Sequence, residues 1–132
     1  MNPLKKFKIK KLLNDLLKIN WQGFKLYLVG GVLEGWETKD IDICILGEPN
    51  NKQLFNSMEE ARALGPFDLY YTKILKTGRS HPTTFAKSYD RGNPRAIQRK
   101  GEWIDGLFWQ TRKFEKKGTY TKEPLLIYDG TL

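Results

Sequence analysis

Near the N-terminus and again in the middle of the chain, apolar positions recur at helical spacing, whereas the stretches between read as strands. Leu4, Phe7, Leu12, Leu13, Leu16 and Leu17 fall on roughly one helical face. With Asn2 as cap and Pro3 in the first position, they predict an amphipathic helix ending near Asn20. After Gly23, the run from Phe24 to Val29 predicts a short buried strand that stops at Gly30-Gly31. A helical turn around Val32 to Trp36 follows. From Lys39 to Leu46, Ile41, Ile43 and Ile45 alternate with Asp40, Asp42, Cys44 and Leu46, as in a second strand. Leu54, Phe55, Met58 and Ala61 mark a helix over 51–64 that Gly65-Pro66 ends, and Phe67 to Lys73 predicts a third strand.

Helices and strands in this order alternate as in an α/β or α+β sheet, and the fold class expected is α+β, a mixed sheet with helices packed mainly on one face. From about Arg79 the patterning weakens. Asn93-Pro94 can open a short helix closed by Gly101, and Trp103 to Phe114 with Tyr120 to Tyr128 predicts a hairpin across Lys116-Lys117-Gly118. The expectation is one domain over 1–132, with a core of about 1–78 and a basic, aromatic-rich, β-rich C-terminal extension over about 79–132.

Composition adds three constraints. Hydrophobic residues make up 39% and aromatic residues 13% of the chain, enough for a packed interior. A single cysteine, Cys44, excludes an internal disulfide and a thiolate zinc cage. The net charge of +8 favours polyanionic partners such as nucleotides or RNA. Lysines break up the N-terminal apolar residues, so neither a secretory signal nor a membrane span is expected, and the expected location is cytoplasmic.

The candidate chemistry lies in the acids. Asp40 and Asp42, at alternate strand positions, project from one face about 6–7 Å apart. Two adjacent negative charges repel unless cations lie between them, and hard oxygen ligands suit Mg²⁺ or Mn²⁺. Two ions about 3.5–4 Å apart need a further carboxylate. Asp68, in the apolar-acid-apolar element Phe67-Asp68-Leu69, is the candidate, because the preceding helix can return its strand beside the second one. Gly30 and Gly31 remove side chains where a phosphate tail can approach backbone N–H groups.

The segment from Leu28-Val29-Gly30-Gly31 through Lys39-Asp40-Ile41-Asp42-Ile43 resembles the signature of the DNA polymerase beta-like nucleotidyltransferase superfamily, over roughly residues 24–73. The resemblance implies a minimal nucleotidyltransferase fold. It also implies that Asp40, Asp42 and Asp68 bind two Mg²⁺ ions, and that the glycine pair holds an incoming nucleoside triphosphate such as ATP. The Lys39-Asp40-Ile41-Asp42-Ile43 string is similar to the branch that adds tRNA 3′ ends and poly(A). Val32-Leu33-Glu34-Gly35 stands where an Arg-Asp commonly follows the glycines there, and the chain is too small for that branch's accessory domains. A full CCA-adding enzyme is therefore not expected. In size it resembles small stand-alone members, among them antibiotic nucleotidyltransferases and toxin–antitoxin or phage-defence proteins.

The expected activity is transfer of a nucleoside monophosphate to a hydroxyl acceptor on tRNA, another RNA or a partner protein. Lys73, Arg79, Arg91, Arg95 and Arg99 are candidates to neutralise phosphate charge, and the last three, at helical spacing, could instead grip an RNA backbone. His81 reads as a loop residue, and Trp103, Trp109, Phe108 and Phe114 read as core. Two rivals stand beside the enzyme: a catalytically silent nucleotidyltransferase fold acting as an RNA-binding or antitoxin-like module, and a general basic RNA-binding protein.

Overall fold

The computed structural model of the 132-residue chain describes residues 3–49, 51–81, 101–109, 112–114 and 118–131. The fold is α+β. Helix α1 (Lys6–Leu16) leads into β1 (Phe24–Val29), the short α2 (Gly31–Glu34), β2 (Ile41–Gly47), α3 (Asn51–Leu64) and β3 (Phe67–Lys73). Five short strands follow: β4 (Glu102–Ile104), β5 (Leu107–Trp109), β6 (Arg112–Phe114), β7 (Gly118–Tyr120) and β8 (Leu125–Asp129). A four-stranded mixed sheet in the order β3-β2-β1-β8 organises them, with β1 antiparallel to β2 and β8, and β2 parallel to β3.

Side-chain alternation divides this sheet into two unequal cores. On one face, Leu26, Leu28, Ile41, Ile43, Ile45 and Phe67 meet Leu12 and Leu16 of α1 and Leu54 and Ala61 of α3. Both long helices therefore lie on one face, as the patterning predicts. On the other face Tyr27, Val29, Cys44 and Leu46 pack with Leu107 from β5. Asp105 (φ 52°) and Gly106 (φ 96°) turn the β4–β5 hairpin, the two-residue connection that Asp-Gly favours. Tyr27 Oη donates to the Asp105 carbonyl (2.7 Å) and so fastens that hairpin over β1.

Three expectations about the helices change. The N-cap of α1 is Lys5, with no side-chain cap, and Pro3 lies outside the helix. The Leu4 N–H donates instead to the Thr38 carbonyl (2.8 Å), so a tertiary hydrogen bond holds the chain where local capping favours helix. The helix also ends at Leu16, whose carbonyl accepts from the buried indole Nε1–H of Trp21 (2.9 Å). Phe7 and Phe55, counted with the apolar faces, are 72% and 60% exposed.

The C-terminal hairpin is divided. β4 pairs with β5 and β6 with β7, while β8 returns to the main sheet beside β1. The helix expected at Asn93-Pro94 lies outside the described residues, as does Asn2. No helix among the described residues is long and apolar enough to cross a membrane.

Burial pushes the Cys44 thiol up from 9.0 to about 12. Because the folded state resists deprotonation, its contribution to stability is complete below pH 9 and is lost as pH rises toward 12. Native Cys44 is expected to resist iodoacetamide at pH 8. Urea midpoints should fall between pH 9 and 11, and less steeply in Cys44→Val, which removes the titrating group while filling a similar volume.

Candidate functional site

The site is built where β1 ends and β2 begins. Antiparallel pairing sets Val29 opposite Asp42, and the parallel register of β2 and β3 sets Asp42 opposite Asp68. Neighbouring strands lie about 4.8 Å apart and paired residues share a face, so both carboxylates leave the sheet on the same side. Asp42 is half-buried and Asp68 exposed. Asp40 stands just before β2 in an exposed bend rather than within the strand. Its backbone is shaped by Thr38, whose hydroxyl donates to the Asp40 carbonyl (2.9 Å) and accepts from the Asp40 N–H (3.3 Å).

The two glycines have different surroundings. Gly30 adopts φ 79° and ψ −152°, a region open essentially to glycine alone. A Cβ there would overlap Oδ2 of Asp42 and stand 3.0 Å from its Cγ. Gly30 thus makes room for the carboxylate. Gly31 has ordinary space, since a Cβ there would find its nearest neighbour, Trp36 Cε3, at 3.6 Å, and it lines a cleft.

That cleft has a volume of about 450 Å³ and is lined by Pro3, Gly31, Trp36, Glu37, Thr38, Lys39, Asp40, Asp42 and Tyr120. Its far wall comes from the C-terminal part of the chain. Tyr120 packs on Trp36 with ring centroids 5.1 Å apart and planes inclined by 39°. The Glu34 carboxylate accepts from the backbone N–H groups of Thr121 and Lys122, the latter at 2.8 Å, and from the Thr121 hydroxyl (3.1 Å). Glu34 therefore ties the residues that follow β7 to α2.

Of the cationic candidates, Lys73 and Arg79 are among the described residues, and neither lines the cleft. Lys73 is exposed at the other end of β3, five residues and roughly 16 Å along the strand from Asp68, with its side chain on the opposite face. The Arg79 guanidinium lies over the Trp103 ring, 5.0 Å from its centroid, in a turn fastened to the β4–β5 hairpin by the Ser80 N–H to Gly106 carbonyl bond (2.8 Å). Arg91, Arg95 and Arg99 lie outside the described residues. His81 is an exposed loop residue, and Phe108 is buried as expected of core. Trp103 is 36% exposed and meets Phe108 edge-on at 5.3 Å.

Among the described residues, no group of three or more His, Cys, Asp or Glu side chains is gathered closely enough to hold a metal ion by itself. No protein-family model, curated protein or solved structure matches the chain.

Gly30→Ala is expected to cost at least about 2 kcal/mol in urea unfolding, from backbone strain and from displacement of Asp42. The loss should shrink by about 1 kcal/mol when measured in an Asp42→Ala background, where the carboxylate is gone. An equal loss in both backgrounds would assign the whole cost to the backbone angle.

Proposed function

We propose that this chain is a metal-dependent nucleotidyltransferase of the polymerase beta-like kind, moving a nucleoside monophosphate from a nucleoside triphosphate to a hydroxyl acceptor. The observation that carries this reading is the alignment of Gly30, Asp42 and Asp68 across three adjoining elements. It supports the order that the resemblance implies: strand, glycine pair, short helix, acid-bearing strand, helix, acid-bearing strand.

The donor set suits Mg²⁺ or Mn²⁺. Such an ion is ordinarily held by one or two carboxylates together with substrate phosphates, rather than by an all-protein cage. A pair of strand acids without a preformed three-acid cluster fits an ion that is completed by the triphosphate. Asp42 and Asp68 would hold it, with Asp40 next along the chain, and the proposed complement is two ions. When bound, the metal supplies neutralisation of triphosphate charge and a lowered pKa for the acceptor hydroxyl.

The protein groups then divide the work. Asp42, seated against Gly30, would hold the ion at the end of β1, and Gly31 leaves room for the phosphate chain beside it. The acceptor oxygen attacks the α-phosphorus and gives its proton to an Asp68 carboxylate oxygen. One P–O bond forms as the bond to the bridging oxygen breaks, and pyrophosphate leaves. Lys39, at the cleft, offsets charge developing on the phosphates.

The proposed acceptor is an RNA. Lys5, Lys6, Lys8 and Lys10 are exposed at and along α1, and the Leu4–Thr38 hydrogen bond (2.8 Å) holds the start of that helix at the cleft rim. The basic helix packs on the opposite face of the sheet from the acids, but its start at the cleft rim offers phosphate contacts without sequence preference. The rival, a catalytically silent RNA-binding module, shares this helix and differs only at the acids.

With Mg²⁺ and ATP at about a hundredfold over its dissociation constant, the wild type is expected to gain about 2.7 kcal/mol in thermal-shift stability. Asp42→Asn should lose this gain, and label from α-labelled nucleotide should appear in RNA only with the wild type. Stabilisation by neither Mg²⁺ nor any of the four nucleotides would rule out the enzyme.

Gly31→Ala separates the glycines. Its melting temperature is expected to stay within a few degrees of wild type, in keeping with a cost under about 1 kcal/mol, while ATP affinity falls severalfold. Unchanged affinity on calorimetric titration would remove Gly31 from the phosphate site.

A further inference from the structure

Resting on the transferase reading of the same cleft, we propose that Trp36 and Tyr120 form its nucleobase subsite, a stacking wall that prefers purine to pyrimidine nucleotides. Both rings line the cleft that Asp40 and Asp42 line. They are half-buried, so part of each ring is covered and part remains open. A volume of about 450 Å³ lies within the roughly 300–1,000 Å³ typical of small-ligand sites.

The wall is held in place before any ligand arrives. Gly35 turns the chain out of α2 with φ 84°, and the Trp36 N–H donates back to the Gly31 carbonyl (3.0 Å). This places the indole directly after the glycine turn. From the other side, the Glu34 bonds to Thr121 and Lys122 fix the segment that carries Tyr120. Gly118 lets β7 come close, since a Cβ there would stand 3.2 Å from Trp36 Cζ2. Two aromatic rings from distant parts of the sequence are thus locked side by side at the acid site.

Among the described residues, neither ring belongs to the two main cores, and the Glu34 bonds to the Thr121 and Lys122 backbone dock the segment just after β7. Bases of every kind stack on aromatic faces, with strength set by ring area, and one such platform typically supplies about tenfold or more in affinity. The acids would hold the metal that meets the phosphates, and the aromatic wall reads the base.

Calorimetric titration of the full chain in Mg²⁺ tests this with ATP, UTP and inorganic tripolyphosphate, which keeps the phosphates and lacks the base. In the wild type ATP is expected to bind about tenfold tighter than tripolyphosphate, with UTP between them. Trp36→Leu and Tyr120→Leu should bring ATP down to the tripolyphosphate level without altering tripolyphosphate affinity, and Trp36→Phe should retain most of the difference. A merely structural role would weaken both ligands together, and that result would overturn the proposal. So would wild-type ATP, UTP and tripolyphosphate of equal affinity, a measurement that needs no variant to fold. Binding of tripolyphosphate without preference for ATP would leave the transferase reading standing and remove the base subsite. Binding of none of the three would remove both.

Discussion

The carboxylate of Asp42 rests against the backbone of Gly30 at the point where β1 gives way to α2, and most of the site's geometry follows from that contact. A side chain at position 30 would displace the acid, and the backbone angles there exclude other residues on their own account. Antiparallel pairing brings Asp42 to the end of β1, and the parallel return through α3 brings Asp68 beside it. The same turn starts α2, whose Glu34 and following Trp36 receive the C-terminal segment. One glycine thus sets the position of a central acid and the origin of a cleft wall.

The energetic base for this arrangement lies on the opposite face. Ile41, Ile43 and Ile45 are fully buried under α1 and α3, so β2 cannot shift register by one residue without exposing all three. That constraint keeps Asp42 on the accessible side. On the second face, among the described residues, Leu107 of the β4–β5 hairpin packs over Tyr27, Cys44 and Leu46. Beyond it, toward the end of β2 that carries Asp42, Asp42 lines the cleft and Asp68 is exposed, so one sheet carries a closed core on one face and the candidate site on the other.

Much of this was legible in the sequence wherever local pattern and tertiary environment agree. The alternation of Ile41, Ile43 and Ile45, the stop at Gly65-Pro66 and the run from Phe67 to Lys73 mark β2, the end of α3 and β3 closely. The start of α1 was not legible, because Leu4 bonds to Thr38 far along the chain. The Asp105-Gly106 turn carried a local hairpin signal that a single long strand over Trp103 to Phe114 passes over. Glu34, Trp36 and Tyr120 carry no motif: their meeting depends on β7 docking across more than eighty residues of sequence. Lys73 has the right charge on the right strand, yet the period of two and the strand's length put it on the other face and at the other end.

The proposal that an ion is shared by the strand acids and a triphosphate is tested most directly by Mn²⁺ paramagnetic resonance. The full chain is titrated with Mn²⁺ beside a non-hydrolysable ATP analogue. Wild type is expected to immobilise Mn²⁺ only when the analogue is present, and Asp42→Asn and Asp68→Asn should each weaken this retention severalfold or more while remaining folded. Retention unaffected by either substitution, or its absence from the wild type, would overturn the shared-ion site.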